Sequence, residues 1–216
     1  MSLLADIVMP LDVRSITGVF LEGSFVGLDL GAGRYFLLDD KDSLALWQGL
    51  RGTADPSMHV RLEALGLAHN HSLHVAVASA EPPQADWNSL AVPRVSLIDM
   101  LRVLLAWRRA ARDLRRVHIG TMLGSLPPPG GRIADPRRAG ALAAALDRAG
   151  LLRTAEGACL PRAIAMRRLL ARSGIDARLV IGVRLPFLAH AWVEVAGTVM
   201  TDRLDAVLPF TPILSR

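Results

Sequence analysis

Cys159-Leu160-Pro161-Arg162-Ala163-Ile164-Ala165-Met166 opens the last quarter of a 216-residue chain and holds its single cysteine. Proline costs nothing in the first turn of a helix, where N–H groups have no intrahelical acceptor, and Ser173-Gly174-Ile175 reads as a glycine stop followed by an apolar residue. The stretch therefore predicts a helix with Cys159 at its N-terminal end. Free N–H groups there favour a thiolate, and a neighbouring imidazolium favours it further, so a thiol that ordinarily titrates near about 8.5 is expected to ionise at neutral pH. Cys159, Ala163, Met166 and Leu170 form one stripe at helical spacing, with Arg162, Arg167, Arg168 and Arg172 off it.

After this helix, 177–185 has the branched apolar content of a strand, and Leu188–Val195, Ala196-Gly197 and Thr198–Asp202 read as a hairpin. His190, Trp192 and Glu194 then share a face. Cys159, His190 and Asp202 suggest a thiol nucleophile, its base and an orienting carboxylate. Asp205 is the second choice for the carboxylate. A two-residue loop at Ala196-Gly197 would put His190 and Asp202 on opposite faces, whereas a three-residue loop would set Asp202 diagonal to His190, so the triad calls for an odd loop. Equally, a lone cysteine is often buried and inert, and a histidine in an apolar strand often a satisfied core residue.

Charge divides the chain. Residues 1–80 carry 5 Lys or Arg against 9 Asp or Glu, and 81–216 carry 20 against 11; Lys41 is the only lysine. The proline-rich, aperiodic 81–93 reads as a linker between a unit at 1–80 and another at 94–216. In the first unit, Val26–Leu30, Gly31-Ala32-Gly33 and Arg34–Asp39 read as a hairpin paired with an earlier strand near Gly18–Glu22. A helix capped by Asp42 or Ser43 runs through Trp47 to Leu50, and another runs from about Ser57 to Leu65. Small sheet then helices is a winged-helix-like order. DNA binding is not expected, because phosphate contacts need clustered cations that this acidic unit lacks. His69, His71 and His74 crowd together without a cysteine or accompanying acid, and no metal is expected.

In the second unit Ser96 caps a helix on which Leu97, Leu101, Leu104 and Leu105 recur at helical spacing, ending in Arg108, Arg109, Arg112, Arg115 and Arg116. Residues 118–136, with their proline run, are expected to be irregular, and a helix follows from Pro136 to Ala149. No N-terminal secretion signal and no uncharged apolar run of about 18 residues is present, so the expectation is a soluble cytoplasmic protein without membrane contact.

Two resemblances sharpen this reading. Cys159-Leu160-Pro161-Arg162-Ala163, Ile181-Gly182-Val183 and His190-Ala191-Trp192-Val193-Glu194, followed by Gly197 and Asp202, resemble the transglutaminase-like domain of lasso-peptide B proteins. Leu28-Asp29-Leu30, Gly33, Tyr35–Asp39 and Trp47 resemble the precursor-peptide recognition element. Together they imply an α+β chain, a winged-helix-like leader-binding domain followed by a transglutaminase-like (papain-like) cysteine peptidase. The expected activity is hydrolysis of the leader–core bond of a ribosomally made precursor through Cys159, His190 and Asp202, with no cofactor. The resemblance also implies that Arg34, Tyr35, Phe36 and Leu37 bind the leader as an added strand, and that a separate ATP-dependent cyclase is a partner. An acyltransferase on the same triad, or a non-enzymatic peptide binder, are the alternatives.

Overall fold

The structure, a computed structural model, describes residues 16–51, 60, 63–64, 73–75, 81–90, 95–127, 135–151 and 158–216. The chain is α+β, with two sheets. In the first, β1 (Ile16–Leu21), β2 (Ser24–Asp29) and β3 (Arg34–Leu37) form an antiparallel meander, and β4 (Leu73–Val75) joins β1 in parallel to give the order β3-β2-β1-β4. Helix α1 (Asp40–Leu50) follows β3. Its cap is Asp39, whose carboxylate accepts from the Asp42 N–H at 2.8 Å, where the sequence pointed to Asp42 or Ser43; Asp39 alone combines an extended backbone with a side chain three residues ahead of that donor. Most of the expected 57–65 helix, and with it the winged-helix comparison, lies outside the described residues, as do His69 and His71.

The two faces of this sheet bury different things. Ile16, Phe25, Phe36 and Leu38 pack with Leu46 of α1. Val19, Val26, Leu28 and Leu30 join the main core of the molecule instead. Thr17 Oγ1 donates to the Ile213 carbonyl, and the Gly120 N–H donates to the Leu30 carbonyl at 3.1 Å. Glycine eases that second approach, since a Cβ at 120 would stand 3.0 Å from the Leu30 oxygen and force the backbones a few tenths of an ångström apart.

The second sheet has the order β5-β8-β7-β6-β9, with β5 at Ala85–Asp86, β6 at Arg178–Arg184, β7 at Leu188–Val195, β8 at Thr198–Val199 and β9 at Thr211–Ser215. Residues 81–93, expected as a linker, thus contribute a strand. Ala85–Asp86 pairs in parallel with β8, and Asp86 Oδ2 accepts from the Leu204 N–H at 3.0 Å. The aperiodicity that suggested a tether is what a two-residue edge strand looks like in sequence.

Helices α2 (Leu97–Asp113), α3 (Ile119–Gly124), α4 (Pro136–Gly150), α5 (Cys159–Arg172) and α6 (Leu204–Val207) follow among the described residues. Helix α3 falls in the stretch expected to be irregular; six residues are too few to show a period. Asp135 caps α4 and Pro136 starts it, and its alanines let α4 pack closely against α2. Helix α5 packs on β7 and β6 as well as on α2 and α4 and is buried nearly all round. Arg167, read as lying off the apolar stripe, is only 1% exposed and donates to the Pro127 carbonyl at 2.6 Å. The leucines at helical spacing on α2 divide, Leu104 packing against the main core. Val103, Trp107 and Ala110 face the core, while Leu97, Leu101 and Leu105 are 81%, 58% and 55% exposed.

Candidate active site

Helix α5 begins as the sequence requires. Ala158 precedes it without a capping side chain, so the first-turn N–H groups are left for other acceptors. At the far end Gly174 takes φ +71 and the Ile175 N–H donates to the Leu170 carbonyl at 2.9 Å, the glycine stop read from Ser173-Gly174-Ile175. Cys159 is half-buried at the start, free of any disulfide, and the N–H groups of Leu160 and of Ala191 on β7 donate to its sulfur.

His190 stands on β7 directly opposite Gly182 of β6. Its imidazole lies stacked at 6.2 Å from Trp192 and tilted at 5.4 Å from Phe210. Gly182 makes room for that arrangement: a Cβ there would come within 2.7 Å of the Trp192 ring. Trp192 is in turn fixed by donation of its indole N–H to Glu194 Oε1 at 2.7 Å, and Arg178 holds the other oxygen at 3.0 Å. The shared face of His190, Trp192 and Glu194 is therefore a built support for the imidazole.

His190 Nε2 stands 3.3 Å from Asp202 Oδ1, within ion-pair reach though not aligned for a directed hydrogen bond. Unliganded catalytic contacts often tighten only when substrate binds. The other ring nitrogen is left for Cys159, whose side chain contacts the imidazole. Contact with the Asp202 carboxylate first, then with the Cys159 sulfur, pushes His190 up to about 9 against the opposing effect of burial. Burial works against ionising Cys159, but the His190 contact and charge and the two N–H donors outweigh it and hold the thiol below its ordinary value. Asp202 is held low in the same way: burial opposes, while His190, the Arg162 guanidinium and Thr201 prevail.

Asp202 arrives by a route the sequence did not reveal. The hairpin loop has two residues, Ala196 and Gly197, both at positive φ, and pairs Val195 with Thr198 and Glu194 with Val199. In a continued ladder Asp202 would face away from His190, so the expected odd loop is corrected. The strand stops instead. Met200 N–H still donates to the Val193 carbonyl at 2.8 Å, but the next acceptor is the Thr201 hydroxyl, 3.1 Å from the Val193 N–H, and the backbone bends away there. Arg162, one turn along α5 from Cys159, donates to the Thr201 carbonyl and stands 3.7 Å from Asp202 Oδ1. It pins the bend, and nothing in its sequence context distinguished it from the other arginines of the helix. Asp205 is exposed on α6 and belongs to no part of this cluster.

The four residues expected to bind a peptide divide. Arg34 is exposed, Phe36 packs over Gly27 on the α1 side, and Leu37 is 52% exposed at the sheet edge. Tyr35 turns toward the second sheet, its ring 5.4 Å from that of Phe187 in the β6–β7 turn. Its phenol is pushed up to about 12, chiefly by burial and then by the negative charge of Cys159. Among the described residues no group of three or more His, Cys, Asp or Glu is arranged to hold a metal ion, and no helix is long and apolar enough to cross a membrane.

A 45-residue stretch is 53% identical to the microcin J25-processing protein McjB of Escherichia coli, covering 20% of this chain and 22% of that protein. The chain thus aligns with about a fifth of the length of this curated relative. No solved structure matches. The match to the transglutaminase-like superfamily takes in residues 101–215, from α2 to the last strand and with Cys159, His190 and Asp202 inside it; the chain belongs to that superfamily.

Proposed function

We propose that this protein is a cysteine peptidase that removes the leader from a ribosomally made lasso-peptide precursor. The observation that carries this is the meeting of Cys159, at an uncapped helix start, with His190 and Asp202, the thiol lowered and the imidazole raised. The Cys159 thiolate attacks the carbonyl at the leader–core junction. His190 protonates the departing core amine, leaving a thioester, then takes a proton from water as the water attacks, and the leader leaves with a free carboxylate. Asp202 holds the imidazole and Arg162 holds Asp202. The Cys159 N–H and the Tyr35 hydroxyl, a donor that stays protonated across the working range, stabilise the oxyanion.

Residues 1–80 act in this scheme as the leader-recognition unit. Strand β3 ends its sheet, with no strand on its outer side among the described residues. The leader adds there as a further strand, and a separate ATP-dependent cyclase consumes the freed core amine. The relative's role in microcin J25 processing supports the same substrate class.

Cleavage of the cognate precursor, followed by mass spectrometry, tests the reading. Cys159→Ala and His190→Ala are expected to abolish cleavage while retaining fold and leader binding, and Asp202→Asn to lose less than either, since it mis-orients the base without removing it. Cleavage by Cys159→Ala at near wild-type rate would overturn the mechanism. A leader recovered as an amide of an added amine, not as a free acid, would reassign the thioester to acyl transfer.

A further inference from the structure

An arginine-lined feature lies away from Cys159, toward the opposite end of α5. A cavity of about 710 Å³ opens between α2, α4 and α5, lined by Arg102, Arg109, Arg138, Arg168 and Arg172 over a floor of Ala106, Leu142 and Leu169. Two of these cations are satisfied internally: Arg138 grips Asp99 at 2.8 and 2.9 Å, and Arg168 meets Asp113 at 2.9 Å. Arg102 reaches Asp99 only at 3.5 Å, and that carboxylate is already engaged. Arg109 and Arg172 are exposed and have no carboxylate partner among the described residues. The groove keeps a surplus of positive charge that the protein itself does not neutralise.

Beside it runs the exposed leucine row of α2. Successive residues on a helix are 100° apart, which places Leu101, Leu105, Ile98, Arg109 and Arg102 in that order around the surface, so the apolar row adjoins the arginine row without a gap. Ile98 is exposed as well. Leu97 to Leu105 spans about 12 Å along the axis, and Arg102 to Arg109 about 10 Å. A small anion would leave the leucines in water and would need the arginines to converge on one point, whereas Arg102, Arg109 and Arg172 are spread along two helices. A nucleic acid would answer the arginines but not the leucines.

We infer that the groove between α2 and α5 is a docking surface for an acidic amphipathic helix of a partner protein, its apolar face on Leu101, Leu105 and Ile98 and its carboxylates on Arg109, Arg172 and Arg102. Helices recognise such grooves through anchors spaced three and four residues apart, and that period matches the leucine row. The inference does not rest on the peptidase reading, because none of these residues belongs to the Cys159 site.

The test uses the full chain and a labelled, amidated helical peptide about four turns long, with leucine at every third or fourth position and glutamate on either flank. Its lysine-flanked counterpart and a single-stranded oligonucleotide are the controls. The acidic peptide is expected to bind and the lysine peptide not to. Arg109→Glu with Arg172→Glu should weaken binding at least tenfold, Leu101→Ser with Leu105→Ser should do the same, and both variants should unfold at wild-type temperature and cleave precursor as wild type does. Equal binding of the two peptides, tighter binding of the oligonucleotide, or an affinity unchanged by charge reversal would overturn the inference. So would sedimentation showing that the chain self-associates through these arginines, since the occupant would then be a second copy.

Discussion

The edge of β3 offers the sharpest test of leader binding, because the register decides which backbone groups are free. The Leu38 N–H donates to the Phe25 carbonyl at 2.9 Å, so 38 and 25 are a bonded pair. Bonded and unbonded pairs alternate along an antiparallel ladder, and β3 aligns Leu37 with Val26, Phe36 with Gly27 and Tyr35 with Leu28. Phe36 therefore bonds inward to Gly27, while Tyr35 and Leu37 turn their N–H and C=O groups to the open edge. Leu37→Pro removes one outward donor and nothing from the ladder, and proline suits an edge strand. Leader affinity should fall by about 0.5–1.5 kcal/mol, the net worth of one hydrogen bond, or roughly two- to twelvefold. Phe36→Pro removes an inward bond and the ring that fills the space over Gly27, and should cost about 2–4 kcal/mol of stability. Leu37→Ala separates the side chain from the donor. Fluorescence anisotropy of labelled leader and thermal unfolding read both quantities. Two folded proline variants with wild-type leader affinity would refute strand addition along β3.

Four further outcomes follow from the site. Precursor cleavage should rise with pH as Cys159 ionises below its ordinary range and fall as His190 loses its proton near about 9, whereas alkylation of Cys159, which needs only the thiolate, should persist above that; a single rise near about 8.5 would mean an unpaired thiol. Because the folded His190 is raised, its stabilising charge is whole below about 6.5 and lost as pH climbs through about 9, so the unfolding temperature of wild type should fall across that window more than that of His190→Ala. Tyr35→Phe keeps the ring against Phe187 and should lower kcat on the order of a hundredfold with leader affinity unchanged, and Arg162→Met should move the acidic limb of the Asp202-dependent profile upward by releasing that carboxylate.

The parts of the site legible in the sequence are those fixed by local rules. A cysteine ahead of a first-turn proline, a glycine stop and strict alternation along β7 placed Cys159 at a helix start and His190, Trp192 and Glu194 on one face. What stayed hidden depends on one element ending where local preference would let it continue. Asp202 reaches His190 because a threonine hydroxyl replaces a backbone acceptor and ends β8, and a side chain that merely can accept gives no periodic signal. The spacing of the α2 leucines leaves their burial undecided for the complementary reason. They repeat as a core face would, yet Trp107 and Val103 on the other side fill the space against α4 and α5, so tertiary packing decided which of two apolar faces was buried.

The opposite charges of 1–80 and 81–216 invite the idea that the two parts work separately, with the first supplying only affinity. The packing argues otherwise. Val19, Val26, Leu28 and Leu30 lie in the same core as the helices and strands around Cys159, and each buried side chain of this size is worth about 1.5–3 kcal/mol when taken out of water. Cutting the chain near residue 80, ahead of β5, would uncover all four, and would also take Tyr35 away from Cys159 and Phe187. Tethering alone affects KM, whereas removal of an oxyanion donor affects kcat. A fragment from residue 81 onward is thus expected to show a depressed kcat at saturating precursor, recovered when the 1–80 fragment is added in trans and not recovered with the Tyr35→Phe version of it. Recovery by both fragments alike would confine the first sheet to binding and remove Tyr35 from the chemistry.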